Sequence, residues 1–263
     1  MQEEVALVTG GGRGFGRAIA ERLAVEGAAV AVVSRSRGQL DEVVGAIHAA
    51  GGRAMAATAD VTSPDDVARA VGEIEDRFGA ITQLVSNAGV PGPFGPLWVT
   101  DPDEWWAAQA VHIRAPYLFL RVLLPGMIAR NRGRAVMVSA LASTMTIEAL
   151  SAYSVGKAAL NKMVALVAAE LGDSAVKVFA IEPGFAATQM ALDTYHSPEA
   201  RQYMPQVLPM IEAARARGDG DAALDRCAQR CFDLLSGRYD ALSGRFLEPE
   251  DPIDRMVTEK APA

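Results

Sequence analysis

The amino-acid sequence predicts an α/β protein with a doubly wound parallel sheet. Short apolar runs typical of buried strands alternate along the chain with longer stretches that carry apolar residues at helical spacing. A cluster of glycines directly follows the first apolar run, within Val5–Gly16. Strands that alternate with helices favour parallel pairing, with helices on both faces of the sheet. The 263 residues suit one large domain that can bury a substantial core.

The stretch Val5–Gly16 predicts a phosphate-binding turn. Val5–Val8 has the pattern of a buried strand, and Arg17–Gly27 has that of a helix. A glycine turn between a strand and a helix directs backbone N–H groups and the positive end of the helix dipole at an anion. The pattern, Thr9-Gly10-x-x-x-Gly14-x-Gly16, is wider than the usual G-x-G-x-x-G spacing. The candidate residues of this turn are Gly10, Gly12, Arg13, Gly14, Phe15 and Gly16.

The end of the second predicted strand, Ala28–Val33, favours NADP over NAD. A dinucleotide-binding fold places the adenosine ribose at this point, where an acid would hold the 2′-hydroxyl. No acid is present; Ser34 and Arg35 stand there, and Arg13 lies in the glycine turn. An arginine binds a 2′-phosphate by charge-assisted hydrogen bonds, whereas a carboxylate repels it. The alternative is that these arginines are solvated surface charges.

The remaining elements continue the alternation as far as residue 181. Ser63 precedes Pro64 at the start of one helix, the pattern of an N-cap followed by a first-turn proline. The chain has no repeat, linker or low-complexity segment, which predicts one domain over residues 1–263. The predicted helices are Gln39–Ala50, Pro64–Phe78, Asp103–Arg130 and Ser151–Leu171. The predicted strands are Arg53–Ala59, Thr82–Ser86, Ala135–Ser139 and Val176–Ile181.

Composition and charge argue against several classes of partner. The net charge of −7 and the pI near 5.1 disfavour nucleic acid and anionic membranes. We expect no apolar run long enough to span a bilayer, and no signal peptide, because a strand begins so close to Met1. Cys227 and Cys231 are four residues apart, a poor geometry for a disulfide, and predict two packed thiols in a reducing cytoplasm. We expect no metal site.

The order of several further motifs resembles the short-chain dehydrogenase/reductase family. Besides the glycine turn, these motifs are Asp60-Val61, Asn87-Ala88-Gly89, Tyr153-x-x-x-Lys157, Pro183-Gly184 through Thr188, and Ser243 to Leu247. The resemblance covers nearly the whole chain. It implies an NAD(P)-dependent enzyme with a Rossmann-type doubly wound parallel sheet of about seven strands and helices on both faces.

The resemblance also implies roles for these motifs. Asp60 and Val61 would border the adenine of the cofactor. The segment of Asn87, Ala88 and Gly89 would stabilise the central strands and line the cofactor. The residues that would meet the nicotinamide are Pro183, Gly184, Phe185 and Thr188.

Tyr153 and Lys157 are the candidate catalytic residues. They are four apart, so on a helix they share one face. A free phenol has a pKa of about 10 and exchanges protons poorly near neutrality. A neighbouring ammonium favours the phenolate, so we expect Lys157 to lower the pKa of Tyr153. Tyr153 would then give a proton to a carbonyl or take one from an alcohol. The resemblance implies that Lys157 also holds the nicotinamide ribose.

Two positions depart from the family's pattern. The family usually has a serine thirteen residues before the tyrosine, where this chain has Ala140. Ser139, through a bulge, and Ser143, from the following loop, are alternative hydroxyls, but we expect a true absence. The family commonly has an asparagine, which holds a kink and a water, where this chain has His112. His112 is open to three roles: a similar hydrogen bond, acid/base chemistry near neutral pH, or capping of helix backbone.

Residues 189–218 predict a lid over the substrate crevice, because ligands in this fold bind outside the carboxyl ends of the strands. The segment is rich in apolar and aromatic residues, and Phe94 and Trp98 are expected opposite it. Such a lining predicts a bulky, largely hydrophobic small-molecule substrate. By family analogy, the helices at 103–130 and 151–171 pack between subunits of a homodimer or homotetramer.

Three functions remain open from the sequence. The first is an NADP(H)-dependent ketoreductase or alcohol dehydrogenase for a bulky, polycyclic or polyketide-like ketone or alcohol of secondary metabolism. The second is a non-redox lyase, isomerase or cyclase on the same scaffold, suggested by Ala140 and His112. The third is a cofactor-sensing protein without catalysis, which the presence of Tyr153 and Lys157 disfavours.

Overall fold

The strands of the chain form one parallel sheet, seen here in a computed structural model that describes residues 1–217 and 220–258. In these residues the sheet has seven strands in the order β3-β2-β1-β4-β5-β6-β7, and each neighbouring pair is parallel. This confirms the predicted doubly wound sheet. The strands are Val5–Thr9 (β1), Ala29–Ser34 (β2), Arg53–Thr58 (β3), Gln83–Ser86 (β4), Arg134–Val138 (β5), Lys177–Ile181 (β6) and Phe246–Leu247 (β7).

Helices cover both faces of the sheet. Ser63 accepts a hydrogen bond from the Asp66 N–H at 3.3 Å and caps the third helix, as its position before Pro64 predicts. The helices are Gly14–Val25 (α1), Arg37–Ala49 (α2), Pro64–Phe78 (α3), Pro102–Gln109 (α4), Ala115–Ala129 (α5), Ser151–Leu171 (α6), Gln189–His196 (α7), Pro198–Tyr203 (α8), Leu208–Arg217 (α9), Gly220–Leu235 (α10) and Ile253–Thr258 (α11).

The alternation of side chains along each strand divides the core between the two faces. On one face, Ile19 of α1 and Leu40 of α2 pack with Leu234 of α10. On the other face, Ile74 of α3 and Phe119 of α5 pack with residues of α6. Cys227 and Cys231 both lie on α10 and are buried free thiols, as predicted.

The predicted helix Asp103–Arg130 is interrupted in the structure. A π-helical turn, Ala110–Arg114, joins α4 to α5. Within the continuous helical stretch Pro102–Ala129, an 18-residue window has a mean hydropathy of 1.2, so the helix is long and apolar enough, by length and composition only, to span a membrane. The expectation that no apolar run reaches that length is therefore wrong. The stretch is apolar because much of α5, including Phe119 and Met127, is buried in the core.

The strand order reverses between β1 and β4, which run side by side. In open α/β sheets a crevice for ligands forms at such a point, outside the carboxyl ends of the strands. The loops that follow β1, β4, β5 and β6 all leave the sheet at this edge. The candidate functional residues fall in the loops after β1 to β6, in the π-helical turn and in the first turns of α6.

Candidate active site

The turn between β1 and α1 depends on glycines at close contacts. Gly10 and Gly14 have positive φ of 63° and 54°. A Cβ on Gly16 would lie 2.3 Å from the Gly10 carbonyl oxygen. Helix α1 begins after Arg13, whose side chain makes no capping hydrogen bond. The first N–H groups of α1 therefore have no capping side chain, as an anion-binding helix terminus requires.

The two other predicted residues of the turn lie beside α2 and the core. A Cβ on Gly12 would lie 3.0 Å from the Cβ of Gln39. Phe15 is partly buried and packs against the core cluster on the α1 face. Gly12 thus permits close approach of the turn to α2, and Phe15 anchors the start of α1.

Asn87 joins the ends of the two central strands. Its backbone N–H donates to the Thr9 hydroxyl at 3.0 Å, and the Ala88 N–H donates to the same oxygen at 3.1 Å. The Asn87 side-chain amide donates to the carbonyls of Thr9, at 3.1 Å, and Gly10, at 3.2 Å. A Cβ on Gly89 would lie 3.5 Å from the His112 ring. The segment after β4 is thereby fixed beside the glycine turn.

The end of β2 carries positive charge and no acid. Arg35 is exposed just after Ser34, and Arg13 is exposed in the glycine turn. Asp60, after β3, accepts hydrogen bonds from the Thr62 N–H and hydroxyl at 2.9 and 2.8 Å. These bonds, helped by the charge of Arg35, lower the pKa of Asp60 against the effect of its burial. Asp60 is therefore an anion already satisfied by Thr62, and the Arg35 charge faces the same region.

The segment after β6 folds back over the glycine turn. Gly184 has a positive φ of 84°, which turns the chain after Pro183. Thr188 occupies the N-cap position of α7 without a capping side-chain hydrogen bond, and its Cγ2 lies 3.3 Å from the position that a Cβ on Gly14 would take. Phe185 is 45% exposed. The structure thus brings the two ends of the predicted cofactor site into contact.

Tyr153 and Lys157 lie one turn apart near the start of α6. The Lys157 Nζ is 5.6 Å from the centre of the Tyr153 ring. It donates a hydrogen bond to the Val138 carbonyl at the end of β5, at 2.7 Å. Lys157 is buried, with 4% of its surface exposed. The lysine therefore links the tyrosine-bearing helix to the carboxyl edge of the sheet.

The structure corrects the expected effect of Lys157 on Tyr153. Burial, and secondly the negative charge of Glu182, raise the pKa of Tyr153 above its ordinary value. Burial also lowers the pKa of Lys157 to about 8, against the opposing effect of Glu182. The expectation that the ammonium lowers the pKa of the phenol is wrong here, because burial and the Glu182 charge determine the shift and Lys157 is not among its causes.

The hydroxyls of the two serines near Ala140 make hydrogen bonds to other groups. Ser139 is buried, and its Oγ donates to the Lys157 carbonyl at 3.4 Å, on the side of α6. The Ser143 Oγ accepts a hydrogen bond from the Asn161 side chain at 2.7 Å. Ala140 itself is in an extended conformation and 7% exposed. Both hydroxyls are engaged elsewhere, in line with the expected absence.

His112 lies in the π-helical turn and contacts Tyr153. Its Nε2 is 2.8 Å from the Val90 carbonyl oxygen, which places a proton on Nε2. The His112 and Tyr153 rings meet edge to face, with centroids 5.2 Å apart. Burial lowers the pKa of His112 to about 3, and the charge of Lys157 acts in the same direction. Of the three open roles, the structure matches a hydrogen bond that holds the chain, made by a neutral ring to the loop after β4.

Glu182 is a residue of this region to which sequence reasoning assigned no role. Burial raises the pKa of its carboxyl to about 7, although the backbone N–H groups of Leu141 and Gly184 approach it as donors and oppose that effect. Its Oε2 atom is buried without a hydrogen-bond partner. The available signal was an acid directly after a buried strand, at the sheet edge where ligands bind.

The predicted lid forms three helices, α7 to α9, although its last residue, 218, lies outside the described residues. Tyr203 of α8 packs against the loop after β4, where its ring lies 3.4 Å from the position of a Gly95 Cβ. Phe94 of that loop is partly buried, and Trp98 is 86% exposed. A groove of about 380 Å³ lies within the lid. Its lining residues are Leu192, Tyr195, Ile211, Glu212, Arg215 and Ala216.

Comparison with known proteins agrees with this geometry. A family model described as short chain dehydrogenase matches residues 4–198. The chain is 34% identical over 264 residues to the short chain dehydrogenase pigC of Monascus ruber, covering 98% of this chain and 82% of that protein.

Two solved structures are also similar. A metagenomic short-chain oxidoreductase in complex with NADP is 39% identical, with a TM-score of 0.67 over 70% of this chain and 83% of that one. The enzyme KRED1-Pglu is 28% identical, with a TM-score of 0.82 over 92% of this chain and 99% of that one. The extent of the family match, together with the sheet order and the site motifs, shows that the chain belongs to the short-chain dehydrogenase/reductase family of oxidoreductases.

Proposed function

We propose that this chain is an NADP(H)-dependent ketoreductase or alcohol dehydrogenase. The observation that carries the proposal is the position of Tyr153. It lies with Lys157 at the carboxyl edge of the sheet, next to the segments that follow β4, β5 and β6. A phenol at this edge can act on a carbonyl or alcohol in the ligand crevice of the fold.

The residues of the cofactor region fit NADP(H). A Cβ on Gly16 would lie 2.3 Å from the Gly10 carbonyl oxygen, so glycine keeps the turn tight before the start of α1, where a diphosphate would meet backbone N–H groups. Arg35 and Arg13 are exposed and would hold the 2′-phosphate. The metagenomic relative in complex with NADP supports the same preference. When bound, NADP(H) supplies the hydride chemistry of the reaction.

The protein's own groups move one proton. In reduction, the Tyr153 hydroxyl donates its proton to the carbonyl oxygen, and in oxidation the phenolate accepts the proton of the alcohol. The raised pKa of Tyr153 keeps the phenol protonated near neutrality. The resting site is therefore prepared for reduction. His112 stays neutral and fixes the ring of Tyr153 by edge-to-face contact.

The proposed substrate is a bulky, largely hydrophobic ketone or alcohol, such as a polyketide-like product of secondary metabolism. Apolar side chains that are more than a third exposed lie on the loops and the lid around the crevice, which supports this choice. They are Leu97, Trp98, Met145, Phe185 and Met210. A substrate that covers such side chains removes apolar surface from water, which favours binding.

We also propose that the protein works as a homodimer or homotetramer in the cytoplasm. Apolar side chains of α5 and α6, including Tyr117, Ile128, Val155 and Leu166, are about half exposed, and a second copy would cover them. The two free thiols of α10 support a reducing compartment. The molecular mass in solution tests the assembly.

A non-redox lyase, isomerase or cyclase is the second candidate function. It is favoured by Ala140, because Ser139 and Ser143 are engaged elsewhere and leave no hydroxyl to assist a developing oxyanion. The test is to incubate the protein with a panel of bulky ketones and NADPH and to count both products and cofactor consumed. One NADPH consumed per alcohol formed supports the reductase. Product formed without net consumption of NADPH supports the second candidate.

A further inference from the structure

Gly156 lies within the Tyr153-x-x-x-Lys157 motif, on the helical turn between the two candidate catalytic residues. A glycine in the interior of a helix destabilises that helix relative to an alanine. Gly156 is buried, and it does not have the positive φ that makes glycine necessary for the backbone. The reason for a glycine at this position therefore lies in the space around it.

The π-helical turn that follows α4 occupies that space. A Cβ on Gly156 would lie 2.7 Å from the Cβ of His112 and 3.1 Å from the Cδ2 atom of its ring. It would also lie 3.0 Å from the Oε1 atom of Gln109. Two carbon atoms in van der Waals contact are about 3.5–4.0 Å apart. Any side chain at position 156 would therefore force the π-helical turn away from α6.

Two hydrogen bonds hold α4 against the start of α6 and oppose such a movement. The Trp105 indole N–H donates to the Ser151 hydroxyl at 3.1 Å. One turn later, the Gln109 side-chain amide donates to the Ala152 carbonyl at 2.8 Å, in a buried position. The close approach of the two helices is therefore fixed on the side of α6 that carries Gly156.

The imidazole of His112 fills the space between α6 and the loop after β4, which we call the histidine slot. Its Nε2–H donates to the Val90 carbonyl at 2.8 Å, and a Cβ on Gly89 would lie 3.5 Å from its Cε1 atom. Gly156 bounds the slot on the Cδ2 side of the ring. The rings of His112 and Tyr153 meet edge to face, with centroids 5.2 Å apart and planes at 87°. A displaced imidazole would therefore change the support of the phenol ring.

We propose that Gly156 is a positioning residue of the reaction site: because it has no side chain, the π-helical turn can approach α6 and seat the His112 ring against Tyr153. The histidine slot exists without turnover, whereas its consequence for the reaction rests on the proposed function. The phenol transfers its proton only within hydrogen-bond reach of the reacting oxygen. A misplacement of about 1 Å can lower a rate by about 10²-fold. A side chain at position 156 should therefore slow the reaction and leave cofactor binding unchanged.

The direct test of the histidine slot is NMR of protein labelled with nitrogen-15 in histidine, which needs no substrate. The chain has three histidines, so the His112 signal can be assigned by its loss in His112→Gln. In the wild-type protein at pH 7 we expect a neutral ring with a slowly exchanging Nε2–H. In Gly156→Ala this signal should shift and exchange faster with water. An unchanged His112 signal in folded Gly156→Ala would overturn the proposal.

Gly72→Ala is the matched control for this measurement. Gly72 also lies within a helix, α3, at a point where no atom of the described residues comes within 4 Å of an added Cβ. Both substitutions favour the helix in the same way. Gly72→Ala should leave the His112 signal and the activity unchanged, so a change confined to Gly156→Ala reports the loss of space beside His112.

The consequence for the reaction is tested by a double-mutant cycle in steady-state ketone reduction. Gly156→Ala should lower kcat by about 10–100-fold, with KM and the affinity for NADPH nearly unchanged. His112→Gln can still donate to the Val90 carbonyl but has no ring, so it should also lower kcat. Because both changes act through the His112 ring, the double variant should be no slower than the slower single variant. Losses that multiply in the double variant, or full kcat in either single variant, would contradict this role of Gly156.

Two outcomes require a further measurement. If Gly156→Ala does not fold, His112→Gln decides: a lower kcat at unchanged KM supports the positioning of Tyr153, and an unchanged kcat overturns it. If the wild-type protein reduces no ketone, the proposed function fails, and the NMR signals of the Tyr153 ring, assigned by their loss in Tyr153→Phe, replace the kinetics. A shift of these signals in Gly156→Ala that disappears when His112→Gln is also present supports the proposal. An equal shift in both backgrounds overturns it.

Discussion

The Lys157 Nζ lies 5.6 Å from the centre of the Tyr153 ring and donates a 2.7 Å hydrogen bond to the Val138 carbonyl. The ammonium is thus held by the end of β5, with the phenol one helical turn before it. Burial raises the pKa of Tyr153 and lowers the pKa of Lys157 to about 8. This relationship prepares Tyr153 as a proton donor and leads to the first prediction.

Replacing Tyr153 by Phe should reduce ketone reduction by roughly 10²–10⁴-fold, because the proton donor is lost. The ring and its edge-to-face contact with His112 are retained, so folding and NADPH binding should be unchanged. The exposed Tyr117, replaced by Phe, is the matched control and should keep full activity. Steady-state kinetics and calorimetry measure both properties. Full turnover in Tyr153→Phe would contradict the role of Tyr153 as the proton donor.

Replacing Arg35 by Ala should weaken NADPH binding by about 10–100-fold and leave NADH binding nearly unchanged, because a charge-assisted hydrogen bond contributes about 1.5–3 kcal/mol. Arg37 is also exposed and pairs with Asp41 at 2.8 Å, so Arg37→Ala is the control. Calorimetric titration with each cofactor measures the two affinities. Equal losses of affinity for NADPH and NADH would show that Arg35 does not bind the 2′-phosphate.

Replacing Ala140 by Ser should raise the rate of ketone reduction, by up to about 10²-fold, because a hydroxyl there can donate to the developing oxyanion. Ser139 faces α6 and not the crevice, so Ser139→Ala should have little effect on the rate. Initial rates on a generic ketone compare the two variants with the wild-type protein. No gain in Ala140→Ser would indicate that the chemistry of this site does not use a second donor.

The stability of the protein should fall as the pH rises from about 4.5 to about 7, through the titration of Glu182. Its pKa is raised from 4.5 to about 7, so in this range the folded chain holds more protons than the unfolded chain. Glu182→Gln lacks this titration. The free energy of unfolding of the variant, relative to that of the wild-type protein, should therefore be higher at pH 8 than at pH 4 by on the order of 1–3 kcal/mol. Denaturant unfolding at both pH values measures the difference. An equal change in stability at both pH values would contradict the raised pKa of Glu182.

The fold was predictable because each element has a local pattern. Apolar runs such as Ala28–Val33 can be buried only as central strands, and the glycines after Val8 have few alternatives to a tight turn. The interruption at Ala110–Arg114 was not predictable, because a π-helical turn leaves the apolar periodicity of the surrounding helix almost intact.

The candidate site was predictable in its residues but not in its electrostatics. Spacing along α6 identifies Tyr153 and Lys157, yet the pKa of a phenol depends on its burial, which no spacing reveals. Glu182 directly follows β6, and the sequence marks it only as an acid at the edge of the sheet. Its raised pKa depends first on its burial, which is decided by the packing of the whole fold.

The most direct test of the account is the transfer of deuterium from NADPH labelled at the reactive carbon of the nicotinamide. A bulky ketone is incubated with the wild-type protein and the labelled cofactor, and the alcohol is examined by mass spectrometry. The account predicts one deuterium on the carbinol carbon of the product, and roughly 10²–10⁴-fold slower formation of labelled alcohol with Tyr153→Phe. Product that forms without deuterium, or at the same rate without NADPH, would contradict it.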